Sequence, residues 1–175
     1  MTAPSVPATP PLPPLLDVVA RLEALGIPCA LGGSGLLAAL GLADRVGDWD
    51  LTTDATVEEM LPAARGLAWE RAGSDALHAD AKLMFPELDI EVIARFAFHV
   101  PGGVVRIPTV VTGRWRGVPL GSPEGWAVAY DLLGRAGKRD RLLAHLRAHG
   151  HDAAVVRVLR AQPLPPGIAA ALAAL

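Results

Sequence analysis

The sequence predicts an α/β (α+β) fold: a mixed β-sheet with flanking helices, followed by a helical C-terminal region. Three observations lead there. Apolar periodicity gives the order helix, strand, helix, strand, helix up to Gly66, a run of strands from Leu67 to about Val111, and helices after Ser122. A glycine-serine turn, Gly32-Gly33-Ser34-Gly35, stands between a short apolar run and a short helix. Two acidic segments, Asp48-Trp49-Asp50 and Leu88-Asp89-Ile90-Glu91-Val92, alternate as strands do, and each places two carboxylates on one face.

Taken in order, residues 1–14 hold six of the 16 prolines and almost no charge, so they are expected as an extended, flexible arm. Leu15, Leu16, Val19, Leu22 and Leu25 recur at helical spacing, and Gly26 supplies the stop. Ile27 to Leu31 reads as a buried strand, Ser34 to Leu40 as a helix and Asp48 to Thr52 as the next strand. Thr56 and Glu59 form a capping-box pattern for a helix ending at Gly66. Strands are expected over 67–71, 77–85, 88–99 and 104–110. Ser122-Pro123-Glu124 opens a helix running to about Leu133, with an N-cap serine, proline at N1 and an acid in the first turn. Further helices span about Arg139 to His149 and the stretch from Asp152 to Pro163, with a short Ala-rich one toward Leu175. The predicted organisation is an arm (1–14), a core (15–121) and a C-terminal helical region packed on it (122–175).

With 175 residues, 51% of them hydrophobic and 19% charged, the chain suits one globular domain with a substantial core. A net charge of −2 gives no general attraction to nucleic acid or anionic membrane. The single Cys29 excludes an internal disulfide and reads as a buried thiol. No apolar run is long enough to span a membrane and no signal-peptide pattern is present, so the expected location is cytoplasmic, with no membrane partner.

Two carboxylates on one strand face repel unless a cation sits between them, and a divalent metal is the simplest such cation. A glycine turn leading into a helix offers backbone N–H groups to a polyphosphate. Gly32, Gly33 and Ser34 are therefore candidates for the phosphate side, and Asp48 and Asp50 for the metal, with Asp89 or Glu91 as a third carboxylate. The serine does not fit a nucleophile elbow, since Leu36 occupies the last glycine position, and no Walker A sequence exists. Gly33-x-Gly35-x-x-Ala38 does fit a dinucleotide fingerprint, with Asp54 about 20 residues on, so an NAD-binding Rossmann-like domain is an alternative. His145, His149 and His151 lack a metalloprotease pattern, and Trp115 and Trp126 are expected in packing roles.

These residues resemble the nucleotidyltransferase superfamily related to DNA polymerase beta, in particular small bacterial members such as aminoglycoside and lincosamide nucleotidyltransferases and the toxins of abortive-infection systems. Leu31-Gly32-Gly33-Ser34 followed by Asp48-Trp49-Asp50-Leu51 matches the first motif, and Leu88-Asp89-Ile90-Glu91-Val92 the later acidic strand. Ser122-Pro123-Glu124 and Lys138-Arg139-Asp140 look like its C-terminal helical element. The resemblance implies a nucleotidyltransferase-like mixed sheet and transfer of a nucleoside monophosphate from an NTP to a hydroxyl acceptor with Mg2+ or Mn2+. It implies Asp48, Asp50 and Asp89 as metal ligands, with Asp89 favoured over Glu91 as the third catalytic acid. Gly32, Gly33, Ser34 and Lys82 would lie on the nucleotide, and Lys82 and Arg95 are candidates to contact phosphate or acceptor. The acceptor is left open among a small hydroxylated molecule, a tRNA end and a protein side chain. A non-catalytic, nucleotide- or partner-binding member of the same fold is the other alternative.

Overall fold

The structure, a computed structural model, describes residues 6–175. Residues 1–5 of the expected arm lie outside the described residues. The remainder is pinned: the Ala8 N–H donates to the Asp44 carbonyl (2.9 Å), and the Val46 N–H donates to the Ala8 carbonyl (2.8 Å). Helix α1 spans Leu12–Ala24, three residues earlier than expected. Pro13 and Pro14 fall in its first turn, where an N–H has no helical partner to lose.

Next come β1 (Ala30–Leu31), α2 (Gly33–Ala39) and β2 (Trp49–Thr53). The capping box forms as predicted, with Thr56 and Glu59 bonding each other's backbone N–H groups. The helix it opens, α3 (Val57–Met60), is short and tightens at Pro62 into a 3-10 turn over Leu61–Ala64. Strands β3 (Glu70–Ala72), β4 (Ala81–Phe85) and β5 (Ile90–Ala94) follow. The strand expected over 88–99 is broken at Arg95, whose backbone is left-handed (φ 55°), so β6 (Ala97–Val100) leaves the sheet and pairs with β7 (Gly103–Arg106) as a separate ribbon. A hairpin that the sequence pattern did not reveal, β8 (Gly113–Trp115) and β9 (Val118–Leu120), turns through Arg116 and Gly117, both at positive φ. Its turn carries arginine where Asn or Asp would have signalled a hairpin.

The main sheet has seven strands in the order β3-β4-β5-β2-β1-β9-β8. β2 runs parallel to β5, and β1 parallel to β9, while β1 and β2 are antiparallel. A Rossmann-like domain requires a parallel sheet through its first glycine turn. The antiparallel β1–β2 pair removes that alternative. The C-terminal half is helical as expected: α4 (Pro123–Leu132), α5 (Ala136–His149), α6 (Ala153–Arg160) and α7 (Pro166–Ala173). Among the described residues, no helix is long and apolar enough to cross a membrane.

Alternation divides the sheet. Trp49 and Leu51 of β2, Leu83 and Phe85 of β4, and Ile90 and Val92 of β5 pack under α1 and α3 with Leu15, Val19, Leu22 and Met60. The opposite face presents Asp50, Lys82, Glu91 and Ile93 toward α2 and the C-terminal helices. There Leu36 and Leu37 join Phe96, Trp126, Tyr130, Leu142 and Leu159 in a second core. One face of the sheet is thus mainly apolar over β2, β4 and β5, while the other becomes polar at one end.

Glu124 ties the helical half together. Its carboxylate is 3% exposed, accepts from the Ser122 hydroxyl (2.6 Å), and accepts from the Asp152 N–H (2.7 Å), which joins the start of α4 to the start of α6. Glu124→Ala removes both bonds and leaves the Asp152 N–H without its partner. It should lower unfolding free energy by about 2 kcal/mol, measured by urea denaturation, whereas an Ala substitution at the exposed Glu87 should change it little.

Candidate active site

Gly33 sets how close the turn comes to the sheet. Its backbone is left-handed (φ 54°), and a Cβ there would lie 1.8 Å from Oδ2 of Asp50. No side chain fits between them. Gly32 is sealed from the other side: a Cβ would lie 1.9 Å from the Trp126 ring. The Gly32 N–H donates to the Asp50 carbonyl (2.8 Å), which locks the turn to β2. The turn therefore lies between the sheet and α4 with no room for a methyl group on either side.

Asp48, Asp50, Glu91 and Lys82 line one cavity of about 240 Å3 together with Gly33 and Ser34. Asp50 and Glu91 are there because β2 and β5 pair in parallel with these two residues directly in register. Asp89 is not. It is exposed, in a left-handed turn (φ 54°) closing a 3-10 turn over Pro86–Leu88. Strand alternation begins only at Ile90, so Asp89 and Glu91 do not share a face. Of the two residues expected for the third carboxylate, β5 brings Glu91 to the cavity and leaves Asp89 outside it. Arg95 also lies elsewhere, beside Arg106 and Asp54 in a separate cavity.

The far wall comes from the helical half. Trp126 and Tyr130 of α4 stack with ring centroids 5.6 Å apart, and Phe96 lies 5.0 Å from Trp126. The Tyr130 hydroxyl is buried and has no hydrogen-bond partner among the described residues, and the same holds for Nδ1 of His78. Burial, with the charge of Asp50, pushes the Tyr130 phenol well above its ordinary range, so it stays a neutral donor. Arg135 and Lys138 complete the lining where α5 begins. Their placement runs against helix electrostatics, since the first turn of a helix favours anions. Burial, and then Arg135, hold the Lys138 ammonium below its ordinary pKa.

The carboxylates are crowded. Burial, then Asp48 and Glu91, raise Asp50 to a pKa of about 7. Lys82 relieves part of this: its ammonium donates to Oε2 of Glu91 (2.8 Å). Burial alone would lower the Lys82 pKa. The hydrogen bond and charge of Glu91, with Asp50 and Asp80, raise it instead.

Among the described residues, no three His, Cys, Asp or Glu side chains converge as a ready metal cluster. The donor set still fits a hard divalent cation. Mg2+ commonly takes one or two carboxylates and fills its remaining positions with water and substrate phosphate oxygens. Asp48 and Asp50 supply two such oxygen donors.

The mixed sheet with its flanking helices is consistent with the nucleotidyltransferase fold. Two solved structures share it: the candidate nucleotidyltransferase TM1012 of Thermotoga maritima, at TM-score 0.52 and 20% identity over 79% of this chain and 93% of its own, and the antibiotic-resistance factor ANT(2'')-Ia, at TM-score 0.54 and 18% identity over 84% and 87%. No family model matches the chain, and no curated protein matches its sequence.

Residues missed in the sequence are His78, Tyr130, Arg135 and Lys138. The two cations at the start of α5 had a readable signal, a basic pair in a first turn without any acid.

Asp50 has a folded pKa above its ordinary value of 3.8, so its contribution to stability is full below that value and declines as pH rises toward 7. Asp50→Asn should therefore raise the melting temperature of the metal-free protein by several degrees at pH 8, with the gain shrinking toward pH 4, measured by thermal denaturation across pH.

Proposed function

We propose that the chain is a metal-dependent nucleotidyltransferase that moves a nucleoside monophosphate from an NTP to a hydroxyl acceptor. The observation that carries this reading is the one cavity lined together by Asp48, Asp50, the Gly33–Ser34 turn, Arg135 and Lys138. A polyphosphate suits that arrangement: cations and backbone amides meet its oxygens, and two carboxylates stand ready for the ion that accompanies it.

A divalent cation on Asp48 and Asp50 would neutralise charge on the phosphates and polarise the α-phosphorus. Arg135 and Lys138 then hold the polyphosphate, and the anion removes the conflict between their charge and the α5 dipole. The buried Tyr130 hydroxyl donates to an oxygen of the bound nucleotide and so gains the partner it lacks. Trp126 and Phe96 exclude water from that side. Glu91, with Oε2 engaged by Lys82, keeps Oε1 to accept the acceptor's proton. The acceptor oxygen bonds to the α-phosphorus, the α–β phosphoanhydride bond breaks, and pyrophosphate leaves with the bonding electrons.

The fold does not name the acceptor. ANT(2'')-Ia is an antibiotic-resistance factor, which makes small hydroxylated molecules the first class to screen, with tRNA ends and protein side chains after them.

The test is transfer of label from α-labelled NTPs with Mg2+ or Mn2+ to such a panel and to the protein itself. Transfer should fall roughly a hundredfold or more in Asp48→Asn and Asp50→Asn, the loss expected when several kcal/mol of charge stabilisation goes. No turnover with any acceptor, together with NTP-dependent thermal stabilisation that survives Asp48→Ala, would instead establish the non-catalytic, nucleotide-binding member of the fold.

A further inference from the structure

Three carboxylates line the cavity, yet only two are free to ligate. Asp50 and Glu91 are directly opposite each other across β2 and β5, side by side on one face of the sheet. Lys82 is delivered to that place by β4. It stands opposite Ile93 of β5, and its side chain runs diagonally to Glu91. The resulting ion pair is 2.8 Å long with both side chains largely buried, 24% and 29% exposed, so it is far less screened than a surface pair. The cation enters the site as part of the sheet.

We propose that the Lys82 ammonium takes the place of a second metal ion at Glu91, so that the site binds a single divalent cation, on Asp48 and Asp50, together with NTP. This rests on the nucleotidyl-transfer reading above. Three features support it. The carboxylates and Lys82 together carry a formal charge of −2, which one divalent ion balances. No third donor converges with Asp48 and Asp50 among the described residues. A second ion at Glu91 would have to displace a half-buried ammonium from its carboxylate partner and leave it inside the cavity. Lys82 is then a fixed charge that orients Glu91 as proton acceptor, and not a phosphate ligand.

The experiment counts Mn2+ bound per chain, by electron paramagnetic resonance, with a saturating α,β-methylene NTP analogue. The wild-type protein should bind one ion, and so should Lys82→Arg. Lys82→Met frees Glu91 and should bind two, and Lys82→Met/Glu91→Gln should return to one. Two ions on the wild-type chain would overturn the proposal whatever the variants do, and this count needs no variant to fold. One ion on a folded Lys82→Met protein would overturn it too, because Lys82 would not be what excludes the second. No analogue-dependent Mn2+ on the wild-type chain would refute both the proposal and the nucleotidyl-transfer reading. That outcome is distinct from a count of two, which refutes the proposal alone.

Discussion

The site depends on one register: β2 beside β5, parallel, with Asp50 opposite Glu91. Because side chains alternate strictly along each strand, this single alignment decides both faces at once. Trp49, Leu51, Ile90 and Val92 go to the core under α1, and Asp50 and Glu91 go to the cavity. A slip of one residue would bury two carboxylates under α1 and turn four large apolar groups toward the helices. The apolar face therefore holds the acidic one in place. Repulsion between carboxylates that would never choose each other's company is offset by hydrophobic burial on the reverse of the same strands.

The rest of the cavity answers the charge which that register creates. Lys82 reaches it from β4, Arg135 and Lys138 from the start of α5, and Gly33 brings the turn against Asp50 with no side chain between. Several groups around it break a local rule. A left-handed glycine opens a helix, cations sit in a helix first turn, and the buried Tyr130 hydroxyl has no partner among the described residues. Such departures tend to gather at functional sites, and here they surround one cavity.

Much of this was legible in the chain. Helix starts announced by capping chemistry, at Thr56 and Ser122, formed where predicted, because they depend on a few consecutive residues. That the glycine turn comes together with Asp48 and Asp50 was legible for the same reason. That Glu91, and not Asp89, shares their cavity was not. Period-two reasoning placed Asp89 and Glu91 on one face, but the Pro86 turn and the left-handed backbone at Asp89 delay the strand by one residue. The β8–β9 hairpin was missed because Arg116 holds a positive φ that its residue type does not advertise. Tyr130 and Lys138 belong to the site through packing of α4 and α5 against the sheet, a long-range contact that no local pattern encodes.

The sealing of Gly32 by Trp126 bears on where this chain could be cut. The C-terminal helices look like an appendage in the linear sequence, after the last strand. In three dimensions the indole of α4 is the ceiling of the glycine turn, and Leu36 and Leu37 of α2 are buried among the residues of the last four helices. A fragment ending at Gly121 would retain every strand and all three cavity carboxylates. It would also open the turn to water and leave α2 with its apolar side uncovered. Sheet and helical roof are inseparable parts of one folding unit, and a minimal folded fragment must extend past α4.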